Sequence, residues 1–442
     1  MPKNFYISLP KKIYTHIQNM ASVSVKSQNI FLRRDQKLDN LLNEVSNLKN
    51  QMVEGLTRLC KIPAVSPHNG GTGEYLKALE IEKLANELGF DKIHWEYVDD
   101  DKSPTGSRPS LFLEYQGRKA QRICILSHID VVPEGNLKFW TLDPFMPEVR
   151  GSRLYGRGVS DNGNCLIASL FALKAVKNLN IIPEYSILLA FVADEEMGSH
   201  YGLEKLLERN LFRPDDLLVV PDMGNDQGSL IEIAEKAIFR LKFTVTGKQV
   251  HASLPHTGLN ACRVANLLAV EVDNALNENF KQHDDNFDPP FSTFEPTKRL
   301  ANVPNTNTVP GLEYFEFDCR VLPSVDLDEV EKLVKKITAD IENKTGAKIN
   351  LEIDRTDSAP NTSPDEKVVK LLKSAVKRVF NIEPETGGVG GGTFAALFRR
   401  KNIPAAVWSQ ECDGVAHMPD EYTEINYIVN NAKVFALMMA GE

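Results

Sequence analysis

Residues 185–198 read Tyr185-Ser-Ile-Leu-Leu-Ala-Phe-Val-Ala-Asp194-Glu-Glu-Met-Gly198. The apolar run inside it, Ile187 to Ala193, shows no polar alternation and is strand-sized, far below the ~20 residues needed to cross a bilayer. Strands buried on both faces look like this, and they belong to parallel sheets covered by helices. Arg122 to Ser127 and Asp216 to Val220 repeat the texture, with helical stretches at Cys165 to Lys177 and Tyr201 to Arg209. Strand and helix in alternation predict an α/β fold built on a mostly parallel central sheet.

On the amino-terminal side, Leu38, Leu41, Leu42, Val45, Leu48, Met52, Leu56 and Leu59 recur at helical spacing, which predicts a helix from about Asp35 to Cys60. A second helix is expected near Glu74 to Leu88. On the other side the texture changes at about Glu235. Phe239, Leu241, Phe243 and Val245 alternate with Arg240, Lys242 and Thr244, the mark of a half-buried strand. A helix (Asn260 to Leu276), a strand (Tyr314 to Leu322), a helix (Leu327 to Lys344) and a strand (Lys348 to Arg355) follow, a compact α+β domain inserted into the first. A helix near Asp365 to Phe380 and a strand near Pro404 to Ser409 bring the chain back. The expected division is a main domain at 35–234 and 356–442, with the inserted domain at 235–355.

Composition sets limits on function. The 442 residues suit two domains better than one core, and 42% hydrophobic with 25% charged residues is an ordinary globular balance. A formal charge of −9 and a pI near 5.6 leave no basic footprint for nucleic acid. The six cysteines form no C-x-x-C pair, and several lie in apolar runs, so reduced thiols in a cytoplasmic protein are expected, with no membrane span. Residues 1–34 carry Lys3, Lys11, Lys12, Lys26, Arg33 and Arg34 and no acid. They lack a signal peptide's apolar centre and read as a loosely ordered basic extension.

The apolar runs share one property: each ends in metal-ligand chemistry, and in open α/β sheets sites form outside the carboxyl ends of strands. The first gives His128-Ile-Asp130, two side chains that strand spacing turns the same way. The second gives Asp194-Glu-Glu196, where three adjacent acids repel unless a cation neutralises them, although acids at a helix start are also ordinary. The third gives Asp222. Asp161, in Gly156-Arg-Gly-Val-Ser-Asp161, opens a helix where an N-cap is the simple alternative. His417 follows the last strand. Five such features on one sheet make a metal centre the better reading.

His128-Ile-Asp130-Val-Val-Pro133, Trp140-Thr-Leu-Asp-Pro-Phe145, Leu154-Tyr-Gly-Arg-Gly-Val-Ser-Asp161 and Asp194-Glu-Glu-Met-Gly198 together resemble a known family. It is the di-zinc peptidases that include aminoacylase, glutamate carboxypeptidase, succinyl-diaminopimelate desuccinylase and carnosinase-like dipeptidases. The likeness continues through His251, Thr306-Asn-Thr-Val-Pro310, Asp318-Cys-Arg320 and His417, and so covers the chain from about Gln51 onward. The resemblance implies that Asp161 bridges two zinc ions, one also held by His128 and Asp222, the other by Glu196 and His417. Cobalt or manganese would substitute, because the set mixes carboxylates with only two imidazoles. It implies that Asp130 orients His128 and that Glu195 is the general base. His251, Asn307, Arg320, Gly391, Gly392 and Thr393 resemble the substrate-binding set. The inserted domain then serves as a lid that also forms a homodimer, with His251 reaching across it.

The expected activity is therefore hydrolysis of an amide bond, with a short peptide favoured as substrate over an acylated amino acid. Asp222 motivates that order, since aspartate at this position resembles di- and tripeptidases and glutamate resembles the deacylases. Asn162-Gly-Asn164 departs from the lysine and glycine the family carries after Asp161. Two other classes fare worse. A silent amino-acid-binding protein has no need of Glu195 and Asp161, and Gly387 to Gly392 lacks the lysine and Ser/Thr of a phosphate loop.

Overall fold

The computed structural model describes residues 35–441; the expected extension at 1–34 lies outside the described residues. Residues 35–47 are helical and, after a turn at Leu48, the helix Lys49–Cys60 continues the stripe. Leu41, Val45, Met52, Leu56 and Leu59 are fully buried, so the apolar spacing does face the core.

The central sheet has eight strands in the order Ile93–Asp99, Ser107–Tyr115, Tyr185–Val192, Lys119–His128, Leu217–Asn225, Ala405–Gln410, Leu230–Glu235 and Glu385–Val389. The four strands from Tyr185–Val192 to Ala405–Gln410 run parallel, and the sheet turns antiparallel on each side of them. Burial on two faces explains the unbroken apolar runs. Ile123 and Ile125 pack with helices Asn164–Asn178, Lys367–Phe380 and Ile425–Ala440, while Cys124 and Leu126 pack with Phe394 and Phe398 of Phe394–Arg400 on the other face.

The lid is a four-stranded antiparallel sheet in the order Thr293–Arg299, Leu312–Val321, Ala237–Thr246 and Lys348–Arg355. Phe239, Leu241, Phe243 and Val245 are buried together with apolar residues of helices Ala261–Asn279 and Leu327–Thr345, which cover one face. Burying a side chain of this size contributes roughly 1.5–3 kcal/mol, which is why a sheet with one wet face holds. Asp326 caps the second helix and Gly346, at φ 72°, ends it in the left-handed region. The edge strand Thr293–Arg299 was not expected. Among its residues Phe294 alone is buried, so no alternation marks it in the sequence. Only Lys236 separates the last residue of Leu230–Glu235 from the lid strand Ala237–Thr246.

Candidate active site

Because the four core strands are parallel, their carboxyl ends open on the same side of the sheet. His128 is the last residue of its strand, Asp222 lies near the end of Leu217–Asn225, and Glu195 and Glu196 form the turn after Tyr185–Val192. His417 follows Ala405–Gln410, and Asp161 lies in the tight segment Val159–Gly163 before helix Asn164–Asn178. Asp161 makes no N-cap; its helix has no side-chain cap bond.

The structure brings these residues together around Asp161. One Asp161 oxygen lies 2.8 Å from His128 Nε2 and the other 3.1 Å from His417 Nε2. His128 Nε2 is 3.2 Å from Asp222, and His417 Nε2 is 3.1 Å from Glu196. Ligand atoms of His128, Asp161 and Asp222 fall within 4.8 Å of one another, as do those of Asp161, Glu196 and His417. The two groups share Asp161.

The electrostatics show what such crowding costs. Burial pushes Asp161 up, but hydrogen bonds from both histidines outweigh it and hold the carboxyl below its usual range. Burial, then the charge of Asp222, push Glu195 well above the usual carboxylate value. Glu196 is pushed up to about 7 by burial, against the pull of His417. His417 in turn is raised to about 10 by its bonds to Asp161 and Glu196. Three acids, Asp161, Asp222 and Glu196, and two imidazoles at 2.8–3.2 Å are a donor set that two dications fit.

Supporting groups hold each ligand. His128 Nδ1 donates to the main-chain carbonyl of Asp130 at 2.9 Å, which leaves Nε2 facing the cluster. The Asp130 carboxylate is 3.7 Å from that nitrogen and is engaged elsewhere, on the backbone N–H groups of Glu195 and Glu196. The Asn162 amide donates to Asp222 at 2.7 Å and to the Pro221 carbonyl at 2.7 Å. Asn162 thus fixes a candidate ligand.

Three further residues carry the site and were missed in the sequence. Glu421, fully buried, accepts the N–H groups of Gly158, Ser160 and Asp161 at 3.1, 2.9 and 3.2 Å, and Arg157 at 2.6 Å. Arg157 also donates to the His417 carbonyl at 3.3 Å, so this pair ties the Asp161 segment to the His417 loop. Arg108, wholly buried, donates to Glu74 at 2.6 Å and to Asp194 at 2.9 Å. Asp194, at φ 72°, is the left-handed residue that swings Glu195 and Glu196 into place. Nearness to His417 is the one sequence signal that points to Glu421; Arg108 and Glu74 have none.

The expected substrate residues fall into two places. Arg320, on the lid, donates to the Gly390 carbonyl at 2.8 Å, next to Gly391, Gly392 and Thr393. His251 lies on a two-stranded ribbon, Val250–His251 with Thr308–Val309, and Asn307 adjoins it, its carbonyl accepting the Ala252 N–H at 2.8 Å. His251 is exposed and bonds Ser253 at 2.7 Å. No hydrogen bond or ion pair among the described residues joins either to the cluster around Asp161.

A parallel core with imidazoles and acids at its strand ends, and a separate lid sheet, is the architecture of a lidded metallohydrolase. Residues 124–441 match the description Peptidase family M20/M25/M40, and the chain belongs to that family. It is 37% identical over 413 residues to an uncharacterized metallohydrolase of Methanocaldococcus jannaschii, covering 90% of this chain and 98% of that protein. A succinyl-diaminopimelate desuccinylase of Nautilia profundicola is 27% identical, over 87% of this chain and 97% of its own. In structure the chain is similar to an M20 metallo-carboxypeptidase of Sulfolobus solfataricus, with a TM-score of 0.68, 21% identity, and 88% and 99% of the two chains covered. The last likeness bears on the fold alone.

Proposed function

We propose that this metallohydrolase cleaves the amide bond of a short peptide at two zinc ions held by His128, Asp161, Asp222, Glu196 and His417. The observation that carries the reading is Asp161, whose two oxygens turn to two different histidines at 2.8 and 3.1 Å. Metal, when bound, supplies Lewis acidity for the amide carbonyl and lets water ionise at about pH 7. Glu195 is the base: it takes the proton of the attacking water and hands it to the leaving nitrogen. Arg320, Asn307 and the Gly391–Thr393 turn grip the substrate's free carboxylate, with Arg320 offering the planar fork that matches it.

The lid supports a homodimer in this reading, with the exposed His251 completing the partner's site. The cysteines among the described residues are free, and four of the six are buried, which suits a reducing compartment such as the cytoplasm. No helix of the described residues is long and apolar enough to cross a membrane. A second reading, removal of an acyl group from an amino acid, is favoured by the likeness to the desuccinylase. Elemental analysis of purified protein, with assays on dipeptides and on acetyl- and succinyl-amino acids, tests the proposal. Two zinc equivalents and chelator-sensitive hydrolysis are expected; activity that survives full metal removal rejects it.

A further inference from the structure

Glu235 is the last residue of the main-sheet strand Leu230–Glu235, with only Lys236 between it and the lid strand. Its buried carboxylate turns to the Gly390–Thr393 segment. One oxygen accepts the Thr393 N–H at 3.0 Å and the other the Thr393 hydroxyl at 2.8 Å. That hydroxyl also accepts the Ala395 N–H at 3.1 Å, capping helix Phe394–Arg400. Behind the pair Arg399, 2% exposed, donates to Glu235 at 3.3 Å and to Glu232 at 2.9 Å.

The chain crossing itself closes the ring. The Lys236 N–H donates to the Val389 carbonyl at 2.9 Å, while its ammonium is held by the carbonyls of Pro289 and Phe291 at 2.8 and 2.7 Å. In the same turn the Gly390 carbonyl accepts Arg320 from the lid. A Cβ at Gly391 would lie 3.1 Å from the Met223 side chain, so this bare backbone approaches the strand end that holds Asp222.

We infer that Glu235 is a positioning residue for the substrate's carboxylate. It holds the Gly391–Thr393 backbone and, through Gly390, the Arg320 guanidinium at one spacing across the lid crossing. The inference rests on the reading of the site as an amide hydrolase that grips a free carboxylate. Glu235 itself touches no substrate. A merely structural role for the Glu235–Arg399 pair predicts a loss of stability with no dependence on what the substrate carries at its carboxyl end.

The test compares a dipeptide with its C-terminal amide, for the wild type and for Glu235→Gln. With the dipeptide, Glu235→Gln should raise KM about tenfold, the order of one charge-assisted contact, with kcat within about twofold. KM for the amide should not move. Equal shifts for both substrates, or none for either, overturn the inference. Glu235→Asp keeps the charge beside Arg399 but draws back from Thr393, so it should fold and give the same KM shift. The peptidase reading and this inference fail separately. Calorimetric titration of both compounds into Glu195→Gln protein, with and without Glu235→Gln, reads binding without turnover. Tighter binding of the carboxylate that Glu235→Gln erases supports the role; a preference for the carboxylate that Glu235→Gln leaves intact overturns it, whereas equal binding before the substitution rejects the carboxylate-gripping reading itself.

Discussion

Asp130 Oδ1 accepts the backbone N–H of Glu195 at 3.1 Å, and its other oxygen accepts that of Glu196 at the same distance. Sequence spacing points Asp130 at His128, yet its carboxylate anchors the turn on the neighbouring strand. Asp130→Ala strips two part-buried N–H groups of their acceptor, at up to about 1 kcal/mol each. Metal affinity is expected to fall about 10–100-fold, as for other outer groups that orient ligands, and kcat should fall with it. Competition with a chromophoric chelator measures the first. Unchanged affinity and rate would show that the turn holds itself.

Asp161→Ala should cost both ions, because one side chain serves both donor groups. Elemental analysis after gel filtration reads the stoichiometry. The variant should also lose the stability that chelation removes from the wild type, since a ligand that binds only the folded state stabilises it. Retention of both ions sinks the bridge.

Glu195 and Glu196 are adjacent but differently engaged: Glu196 lies against His417 at 3.1 Å, whereas Glu195 makes no ion pair among the described residues. Glu195→Gln should keep metal and lose activity by a factor on the order of 100 or more, as for a positioned general base. Glu196→Gln should lose metal from the His417 side. The opposite pattern would exchange their roles.

The parallel core, the lid alternation and the acids and imidazoles at the strand ends are legible because each depends on local pattern, whereas the division of His128, Asp161, Glu196, Asp222 and His417 into a ligand set came from the family resemblance. A strand buried on both faces has to be apolar throughout, and the residues just past its end have to sit at the sheet's open edge. The helix Ile425–Ala440 leaves no readable period because it is apolar and buried nearly all round. Glu235 and Arg108 were invisible, and Glu421 was marked only by its nearness to His417, for a different reason. Each is a single charged residue whose partner lies far along the chain: Asp161 for Glu421, Thr393 for Glu235, Asp194 for Arg108. Only the completed topology pairs them.

Arg108 offers a prediction read as stability and not as activity. Its guanidinium is wholly buried against Glu74 and Asp194, both themselves buried. Arg108→Met keeps the volume but leaves two carboxylates unpaired, which should cost about 3–5 kcal/mol. Urea unfolding at fixed metal concentration measures it. A loss under about 1 kcal/mol would mean that these acids fold protonated and need no counter-charge.

The remaining question is whether the substrate's amino end is free. Asp222 is the shorter of the two carboxylates such a site can use, and its Oδ1 is already held by Asn162 at 2.7 Å. Two residues on, the Gly224 N–H donates to Glu411 at 3.0 Å, and Ser409 donates to the same carboxylate at 3.0 Å. Burial pushes Glu411 up to about 7, and no lysine, arginine or histidine pairs with it among the described residues. An α-ammonium that reaches Glu411, beside the Asp222 strand end, meets an acid with no cationic partner among the described residues, and charge-assisted hydrogen bonds favour it there. A neutral acetyl group gains nothing from them, and a succinyl carboxylate is repelled. Arg320 and Asn307 hold the other end in either case and so cannot discriminate. Comparing kcat/KM for a dipeptide with that for the acetyl- or succinyl-amino acid sharing its carboxyl-terminal residue isolates the amino end. The dipeptide should lead by about tenfold or more, the worth of one such charged contact at about 1.5–3 kcal/mol. Glu411→Gln should shrink the lead. A clear preference for the succinyl compound reverses the order and makes this chain a deacylase.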